Sequence, residues 1–354
     1  MVRELIGRIR RHRVGESMPR AATRSDRGHL LVVDERWIGE HGIGRFAAEV
    51  ISRLSAESRP LIGVRSPTAL TDFVNADRLR LRASAVIFSP GFNAGITRAR
   101  QLLVIHDLIH LQVAAEKSLA KTFFYAVVVR RAIRRAGVVM TVSLASAQAI
   151  GRWLNSPKVK IVVVGNGRSR AFTPAGERYE FGRPTFIYVG NLKPHKNVGV
   201  ILEALALRPQ YQLIIISGDT TGAEALVVSL GLSSQVDLRS GISDLELATL
   251  YRGAVGALQP SLVEGFGLPA LEAMSCGTRV AYWDGCESVK EICAGSGVRV
   301  SRAASPSDWA TALDELNSLA ATGALVMPLA WEKRYDWDTV ASNVAQVITD
   351  ACER

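Results

Sequence analysis

Between residue 29 and the C-terminus, short apolar runs rich in Val and Ile alternate with amphipathic stretches, and the whole alternation runs through twice. In the first pass, residues 30–33, 61–64, 85–88, 102–105, 138–142 and 161–164 read as strands, with helices over 45–56 and 118–136. In the second, strands are predicted at 186–189, 213–216, 236–238, 254–259 and 278–281. Helices are predicted at 198–207, 223–230, 270–275 and 288–292. Apolar runs without polar alternation mark strands buried on both faces, which is the condition of a parallel sheet covered by helices. Parallel neighbours need crossover connections, and the intervening helices supply them. Two such sets of similar size predict two doubly wound, Rossmann-like α/β domains. The polar stretch 171–184 is the linker candidate, which sets domains at 29–180 and 181–335. Residues 331–352 read as helical, with Trp337, Val340, Val344 and Val347 on one face, so 336–354 is expected to return toward the first domain.

Charge divides along the same line. Residues 1–180 hold 30 Lys and Arg against 14 Asp and Glu, a net of +16, and residues 181–354 hold 13 against 19, a net of −6. A basic half implies an anionic partner: phosphate groups, nucleic acid or a membrane surface. Residues 1–27 carry eight Arg and three acids, and residues 2–13 read as a short basic helix. This extension is either a solvated tail or an element that meets anionic lipid headgroups. It has no apolar core of a secretory signal, and no apolar run reaches the 18 or more residues of a membrane span. The sequence therefore predicts a cytoplasmic protein. Cys276, Cys286, Cys293 and Cys352 form no CxxC pair, so structural thiols are expected rather than a zinc site or a disulfide framework.

In open α/β sheets ligands bind beyond the carboxyl ends of the strands, so the loops there carry the chemistry. The first is His41-Gly42-Ile43-Gly44-Arg45. Gly42 and Gly44 allow close backbone approach, and the helix that follows offers N–H groups to an anion. A dinucleotide site would want an acid at the end of the second strand, where Arg65 stands, so NAD is disfavoured. The second loop holds His106 just past a strand end. His110 lies four residues on, but no helix or Glu completes a metal motif, and no metal is expected. The third, Gly190-Asn191-Leu192-Lys193-Pro194-His195-Lys196, sets Lys196 near a helix start, where a phosphate would offset the unfavourable dipole.

The fourth loop is the most specific. In Ser261-Leu262-Val263-Glu264-Gly265-Phe266-Gly267-Leu268-Pro269-Ala270-Leu271-Glu272, a Gly-bracketed aromatic turn follows a strand and Pro269 opens a helix. Glu264 is expected in the loop and Glu272 in the first helical turn. One carboxylate accepts two O–H donors, so a Glu suits the vicinal hydroxyls of a sugar ring and a second suits a ribose. Backbone amides between them, at Gly265, Phe266, Gly267 and Leu268, suit a diphosphate. That is the pattern of a nucleotide-sugar site.

With these residues in place, the chain resembles the retaining glycosyltransferases of the GT-B fold, family 4 (group 1), especially bacterial polysaccharide mannosyltransferases. The resemblance runs through DERWIGEHGIGRFAAEV, VIHDLIHL, MTVSLAS, VVVGNG, YVGNLKPHKNV and PSLVEGFGLPALEAMSCGTRVA, in the family's order and spacing. It implies two Rossmann-like domains facing across a cleft. It implies that Gly42 and Gly44 face the donor diphosphate, that His106 meets the donor sugar and that Lys196 neutralises the departing diphosphate. Glu264 would hold sugar hydroxyls and Glu272 the ribose, while the base would rest near Gly241 and Ile242. No cofactor is implied, and retention would follow from front-face attack with the donor phosphate taking the acceptor proton. Many members place an Arg after the glycine equivalent to Gly190. Here Asn191 stands there, leaving Lys193 or a basic residue of the first domain as second cation.

The partners implied are a nucleotide-sugar donor, with GDP-mannose first and a UDP- or dTDP-sugar as the alternative, and a polyprenyl-diphosphate-linked saccharide acceptor. Anionic lipids of the inner leaflet are a further expectation for the basic half, in which four Arg follow an apolar run at 123–129. A nucleic-acid-binding protein lacks the aromatic–basic interleaving it would need. A non-catalytic basic membrane protein leaves the Glu264/Glu272 pair without a use. The sequence assigns no oligomeric state.

Overall fold

The computed structural model describes residues 30–39, 41–63, 66–113 and 118–353. The basic extension at 1–27 lies outside them. The chain forms two compact units, one made of Met1–Gly167 and Arg334–Arg354, the other of Arg168–Lys333. The division falls before residue 180 because the polar stretch 171–184 is tied onto the second unit. The Tyr179 N–H donates to Thr249 O (3.0 Å), and Arg252 donates to the carbonyls of Glu177 (2.5 Å) and Thr173 (3.2 Å).

The first unit is built on parallel strands β1 (Leu31–Val33), β2 (Ser58–Pro60), β3 (Val86–Ser89), β4 (Arg100–Leu103), β5 (Val138–Thr141) and β6 (Lys160–Val163). Four pair in the order β2-β1-β3-β4 and two as β5-β6. A parallel bridge between Val104 and Met140, with the Ile105 N–H donating to Met140 O (2.9 Å), joins the two ladders. Every residue of β1, β3 and β5 is buried, as continuous apolar runs require. The strand predicted at 61–64 is corrected to Ser58–Pro60. β2 pairs only with β1, so this edge strand is polar and accommodates Pro60, and the apolar run follows it with Leu61 buried and Ile62 exposed. The long helix predicted at 118–136 is three pieces, α2 (Leu119–Phe124), a π-helical turn (Tyr125–Val129) and α3 (Arg130–Ala136), preceded in the chain by α1 (Gly42–Ile51).

Where β1 ends, a buried ionic network ties the sheet together. Asp34 is fully buried and accepts from Arg36 (2.7 Å) and Asn93 (2.7 Å), while Arg36 also pairs with Asp72 (2.7 Å). Arg78, wholly buried, completes two cations against two anions at 3.4 Å from each carboxylate. Arg36 and Arg78 hold the Asp72 carboxyl below its ordinary range although burial opposes them. Balanced charge and shared hydrogen bonds are what allow such groups inside.

The second unit carries one six-stranded parallel sheet in the order β12-β11-β10-β7-β8-β9. Its strands are β7 (Thr185–Val189), β8 (Gln212–Ile216), β9 (Val236–Arg239), β10 (Gly256–Gln259), β11 (Val280–Trp283) and β12 (Val298–Val300). From β7 the chain winds outward to β8 and β9, then returns beside β7 as β10 and winds the other way. The switch point is therefore between β7 and β10. Helices α4 (Val198–Ala206), α5 (Asp244–Gly253), α6 (Leu268–Ser275) and α7 (Glu287–Cys293) lie between strands, and α8 (Pro306–Ala320) follows the last of them. One face is closed by α4 and α8, whose Ile201, Leu205, Trp309, Leu313 and Leu316 pack with Phe186, Leu213 and Ile215 of the sheet.

The C-terminal stretch is interrupted at Asp336, which caps α9 (Trp337–Cys352) by accepting from Asp338 N–H (2.9 Å). This helix lies on the first unit. Its Trp337 ring meets Phe46 of α1 at 6.1 Å, Asn343 donates to Val164 O (3.1 Å), and Arg53 bridges Glu49 and Asp338.

Helix α1 begins against Gly39. A Cβ on Gly44 would lie 2.5 Å from Gly39 O and 2.6 Å from its N. Helix propensity favours Ala over Gly by about 1 kcal/mol, but overpacking costs about 1–3 kcal/mol. Gly44→Ala should therefore lower stability by about 1–2 kcal/mol, read from the denaturant midpoint, where propensity alone predicts a gain.

Candidate functional site

The switch point of the second unit is where an open parallel sheet binds ligands, because the loops leaving β7 and β10 diverge there. Both conspicuous loops of the sequence leave these two strands. After β7 the chain turns at Gly190, whose φ of +152° favours glycine. A Cβ there would meet the Tyr188 hydroxyl at 2.9 Å, and that hydroxyl donates to Asn191 O (2.7 Å). Burial first, and then the nearby Glu264 charge, push the Tyr188 pKa up, so the phenol stays protonated as a donor. A single 3-10 turn, Pro194–Lys196, then brings Lys196 in front of α4. After β10 the loop comes back against this turn: the Leu262 N–H donates to His195 O (2.8 Å).

The two loops meet in one ion pair. Lys196 Nζ donates to Glu264 Oε1 at 2.6 Å, with the side chains 16% and 10% exposed. Gln259 Nε2 (2.8 Å) and Ser261 Oγ (2.7 Å) donate to the same oxygen. The Ser288 hydroxyl donates to the Glu264 carbonyl (3.0 Å). Oε1 is thus fixed by three donors, none of which falls on Oε2, and the carboxylate cannot swing without giving up all three. Its charge also offsets the lysine's unfavourable position before a helix N-terminus. A ligand phosphate at this place would do the same.

Gly265, Phe266 and Gly267 complete the turn. Phe266 is buried, and Gly267 sits at φ +109° with its missing Cβ space filled by Val289 at 3.0 Å. Helix α6 starts at Leu268, with Pro269 in its first turn, where no N–H is needed. Glu272 is buried on α6, and its place is corrected from the first helical turn to the second, because the helix opens at Leu268. It raises the pKa of neighbouring Tyr251 together with burial, the larger cause. Gly241 (φ +67°) and Ile242 follow β9, two strands from β7 on the same carboxyl side of the sheet. Asn191 and Lys193 are exposed on the β7 loop.

The remaining expected residues belong to the first unit. Gly42 is exposed at the start of α1, and the Gly44 N–H is already engaged by the cap, donating to His41 Nδ1 (2.9 Å). His106 lies past the end of β4 with its ring edge-on to Phe46 at 5.0 Å. Its Nε2 donates to Pro90 O (2.9 Å), the only role a carbonyl partner permits, which leaves Nδ1 as an acceptor. Burial lowers its pKa below the usual value, more than the Pro90 bond raises it, so the ring is a neutral imidazole.

Gln259, Ser261 and Ser288 were not legible as site residues. Gln259 reads as a strand end, and Ser288 is 24 residues beyond Glu264 in the chain. Ser261, three residues before the Glu, was the one local signal. Among the described residues, no group of three or more His, Cys, Asp or Glu side chains has the arrangement of a metal site. Burial pushes the Cys276 and Cys286 thiols up to about 12 and about 11, as fits structural rather than reactive cysteines.

Residues 169–320, nearly the whole of the second unit, match the family model for glycosyl transferases group 1. This part of the chain is similar to the glycosyl transferases of group 1. The sequence is 27% identical over 259 residues to the O-antigen chain mannosyltransferase RfbU of Salmonella typhimurium, covering 71% of this chain and 70% of that protein. It is 32% identical over 228 residues to a D-inositol 3-phosphate glycosyltransferase of Thermobispora bispora, covering 56% of this chain and 53% of the relative. It is 37% identical over 158 residues to the MMP alpha-(1->4)-mannosyltransferase of Mycolicibacterium hassiacum, covering 43% of this chain and 38% of the relative. The fold is that of sucrose-phosphate synthase from Thermosynechococcus elongatus (TM-score 0.72, 17% identity, covering 91% and 98% of the two chains). It is also that of WaaG, a glycosyltransferase involved in lipopolysaccharide biosynthesis (TM-score 0.65, 17% identity, covering 90% and 99%). At such identities the likeness concerns the fold alone, and that fold is the GT-B architecture of two Rossmann-like domains. No helix among the described residues is long and apolar enough to cross a membrane.

Because His106 is harder to protonate folded than unfolded, the unfolded chain binds the extra proton as pH falls through about 6.5. Stability should therefore rise with pH below that value. His106→Gln should flatten this part of a stability–pH curve measured by denaturant unfolding between pH 5 and 7, and an unchanged slope would assign the acid sensitivity to other groups.

Proposed function

We propose that the protein transfers mannose from GDP-mannose, with retention at the anomeric carbon, to a saccharide carried on polyprenyl diphosphate at the inner face of the membrane. The observation that carries this reading is the Lys196–Glu264 pair at the β7/β10 switch point. When the donor enters, its diphosphate takes the place of the carboxylate on Lys196, and Lys196 stabilises the charge that grows as the glycosidic bond breaks. Glu264, still held by Gln259 and Ser261, turns its remaining capacity to the sugar hydroxyls. Glu272 takes the ribose hydroxyls, the amides of Gly267 and Leu268 meet the diphosphate, and the base rests near Gly241 and Ile242. Gly42, exposed at the start of α1, offers close backbone approach to the diphosphate. His106, a neutral imidazole with a free acceptor nitrogen, suits a sugar hydroxyl. The charge is handled without a metal, with Lys193 as the second cation in place of the Arg that Asn191 replaces.

Two mannosyltransferases among the relatives support the choice of mannose, while the inositol 3-phosphate glycosyltransferase keeps UDP- and dTDP-sugars in the panel. The test is nucleotide release from GDP-, UDP- and dTDP-sugars with a polyprenyl-diphosphate-linked oligosaccharide. GDP release from GDP-mannose is expected, and no release with any donor would overturn the reading. Lys196→Ala and Glu264→Gln should each lower kcat/KM by about 100-fold, or about 2.7 kcal/mol, measured below the onset of unfolding of each variant. Full activity in either would remove that residue from the mechanism.

A further inference from the structure

Desolvation offsets much of what the buried charges at the end of β1 gain from one another, so their arrangement is better read by what it holds in place. Strand β3 ends at Ser89, and the turn Pro90-Gly91-Phe92-Asn93 follows on the carboxyl side of the first unit's sheet. Among the described residues, no backbone–backbone hydrogen bond ties these four residues to a neighbouring strand or loop. The turn is held instead through Asn93, which is 1% exposed. Its Oδ1 accepts from Trp37 Nε1 (2.6 Å) and from the Ser89 hydroxyl, and its Nδ2 donates to Asp34 (2.7 Å) and Asp72 (3.3 Å). Its carbonyl accepts from Arg78 (3.1 Å). An indole N–H can only donate and an ionised carboxylate can only accept. The amide therefore has one orientation, and the place requires a side chain with both a donor and an acceptor end. The turn also lies flush on the indole, since a Cβ on Gly91 would run into the Trp37 ring.

What the clamped turn presents is the carbonyl of Pro90, to which His106 Nε2 donates at 2.9 Å. The rest of His106 is fixed independently of the turn. Ser146 Oγ donates to its carbonyl (2.8 Å), Thr141 Oγ1 donates to the carbonyl of Ile105 (2.7 Å), and the Phe46 ring stands edge-on at 5.0 Å. These contacts set where the imidazole lies, but none of them engages a ring nitrogen. Asp107 in the same loop and His41 at the start of α1 act on the charge of the ring, in opposite senses, without choosing a nitrogen. Among the described residues, the Pro90 carbonyl is the hydrogen-bond partner of the ring, and it decides which nitrogen carries the proton.

We propose that Asn93 is a positioning residue for His106: clamped between Trp37 and the carboxylates of Asp34 and Asp72, it fixes the Pro90 carbonyl that keeps the proton on Nε2 and the lone pair on Nδ1. A sugar hydroxyl that donates to His106 needs that lone pair, and the opposite tautomer would meet it with an N–H. The consequence for sugar transfer rests on the reading that His106 meets the donor sugar, whereas the clamp is a property of the first unit by itself. The buried charges then act at a distance from the ring: they orient one amide, the amide holds one turn, and the turn selects one tautomer.

Ring-nitrogen NMR of the full chain, isotope-labelled at histidine, reads the tautomer directly, and His106→Gln picks out its signals among the six histidines. The wild type should show a protonated Nε2 and an unprotonated Nδ1 at neutral pH. Asn93→Ala should mix the two tautomers and shift the titration of the ring. Trp37→Phe combined with Ser89→Ala removes both donors to Oδ1, keeps an aromatic ring beneath Gly91 and should do the same, which covers the case in which Asn93→Ala does not fold. Val347→Ala serves as the stability control: it lies beside Arg100, Val138 and Lys160, the first residues of β4, β5 and β6, and should leave the His106 signals unchanged. With donor and acceptor, kcat/KM of Asn93→Ala is expected to fall about tenfold. A single, unchanged tautomer in either clamp variant that folds would overturn the proposal, as would the same tautomer mixing in Val347→Ala. Mixed tautomers with unchanged kcat/KM would support the clamp and remove His106 from sugar transfer.

Discussion

Glu264 Oε1 accepts from Lys196, Gln259 and Ser261 within 2.6–2.8 Å, and the candidate site depends on that convergence. Lys196 comes from the loop after β7, Gln259 from the last residue of β10 and Ser261 from the loop that follows it, on adjacent strands that belong to oppositely winding halves of one sheet. Only the β12-β11-β10-β7-β8-β9 order makes β7 and β10 neighbours, although 66 residues of chain separate Val189 from Gly256 in numbering terms of 190–255. Strands without a polar face must be covered on both sides, and helices α4 and α8 do this on one of them. The ion pair is thus the local outcome of a constraint on the whole unit.

A largely buried ion pair is weak evidence for stability, because desolvation offsets much of its attraction. Its arrangement says more about chemistry. The carboxylate is over-determined by three donors, whereas the lysine has an anion at a place where the helix behind it also favours one. Exchange of that anion for a diphosphate, as proposed, would leave Glu264 with two donors. A site prepared in this way needs little rearrangement when charge develops on a leaving group.

Much of this was legible because burial leaves a signal in the chain. The second unit's strands at 186–189 and 213–216 are apolar throughout, and the Gly-bracketed loop before Pro269 marks itself by turn chemistry. Where burial is one-sided the signal fails. Edge strand β2 is Ser-Arg-Pro, and edge strand β12 is three residues with an exposed Arg299 at its centre, so one was misplaced and the other unseen. Helix α8 was missed although its Trp309, Leu313 and Leu316 are buried, because its polar face dilutes the pattern. Glu272 was set a turn too early, since Pro269 was read as the helix's first residue when Leu268 precedes it. The Asp34–Arg36–Asp72–Arg78 network joins residues up to 44 apart in the chain, and a charge inside a core has no sequence signature.

The central claim is that Lys196 is a phosphate-binding cation whose partner carboxylate is displaced by the ligand. Titration of GDP, UDP and dTDP into the wild type, Lys196→Ala and Glu264→Gln, followed by calorimetry, tests it without any turnover. The preferred nucleoside diphosphate is expected to bind at least tenfold more weakly to Lys196→Ala and several-fold more tightly to Glu264→Gln, where the competing charge is gone. Equal affinity in wild type and Lys196→Ala, or weaker binding in Glu264→Gln, would contradict it.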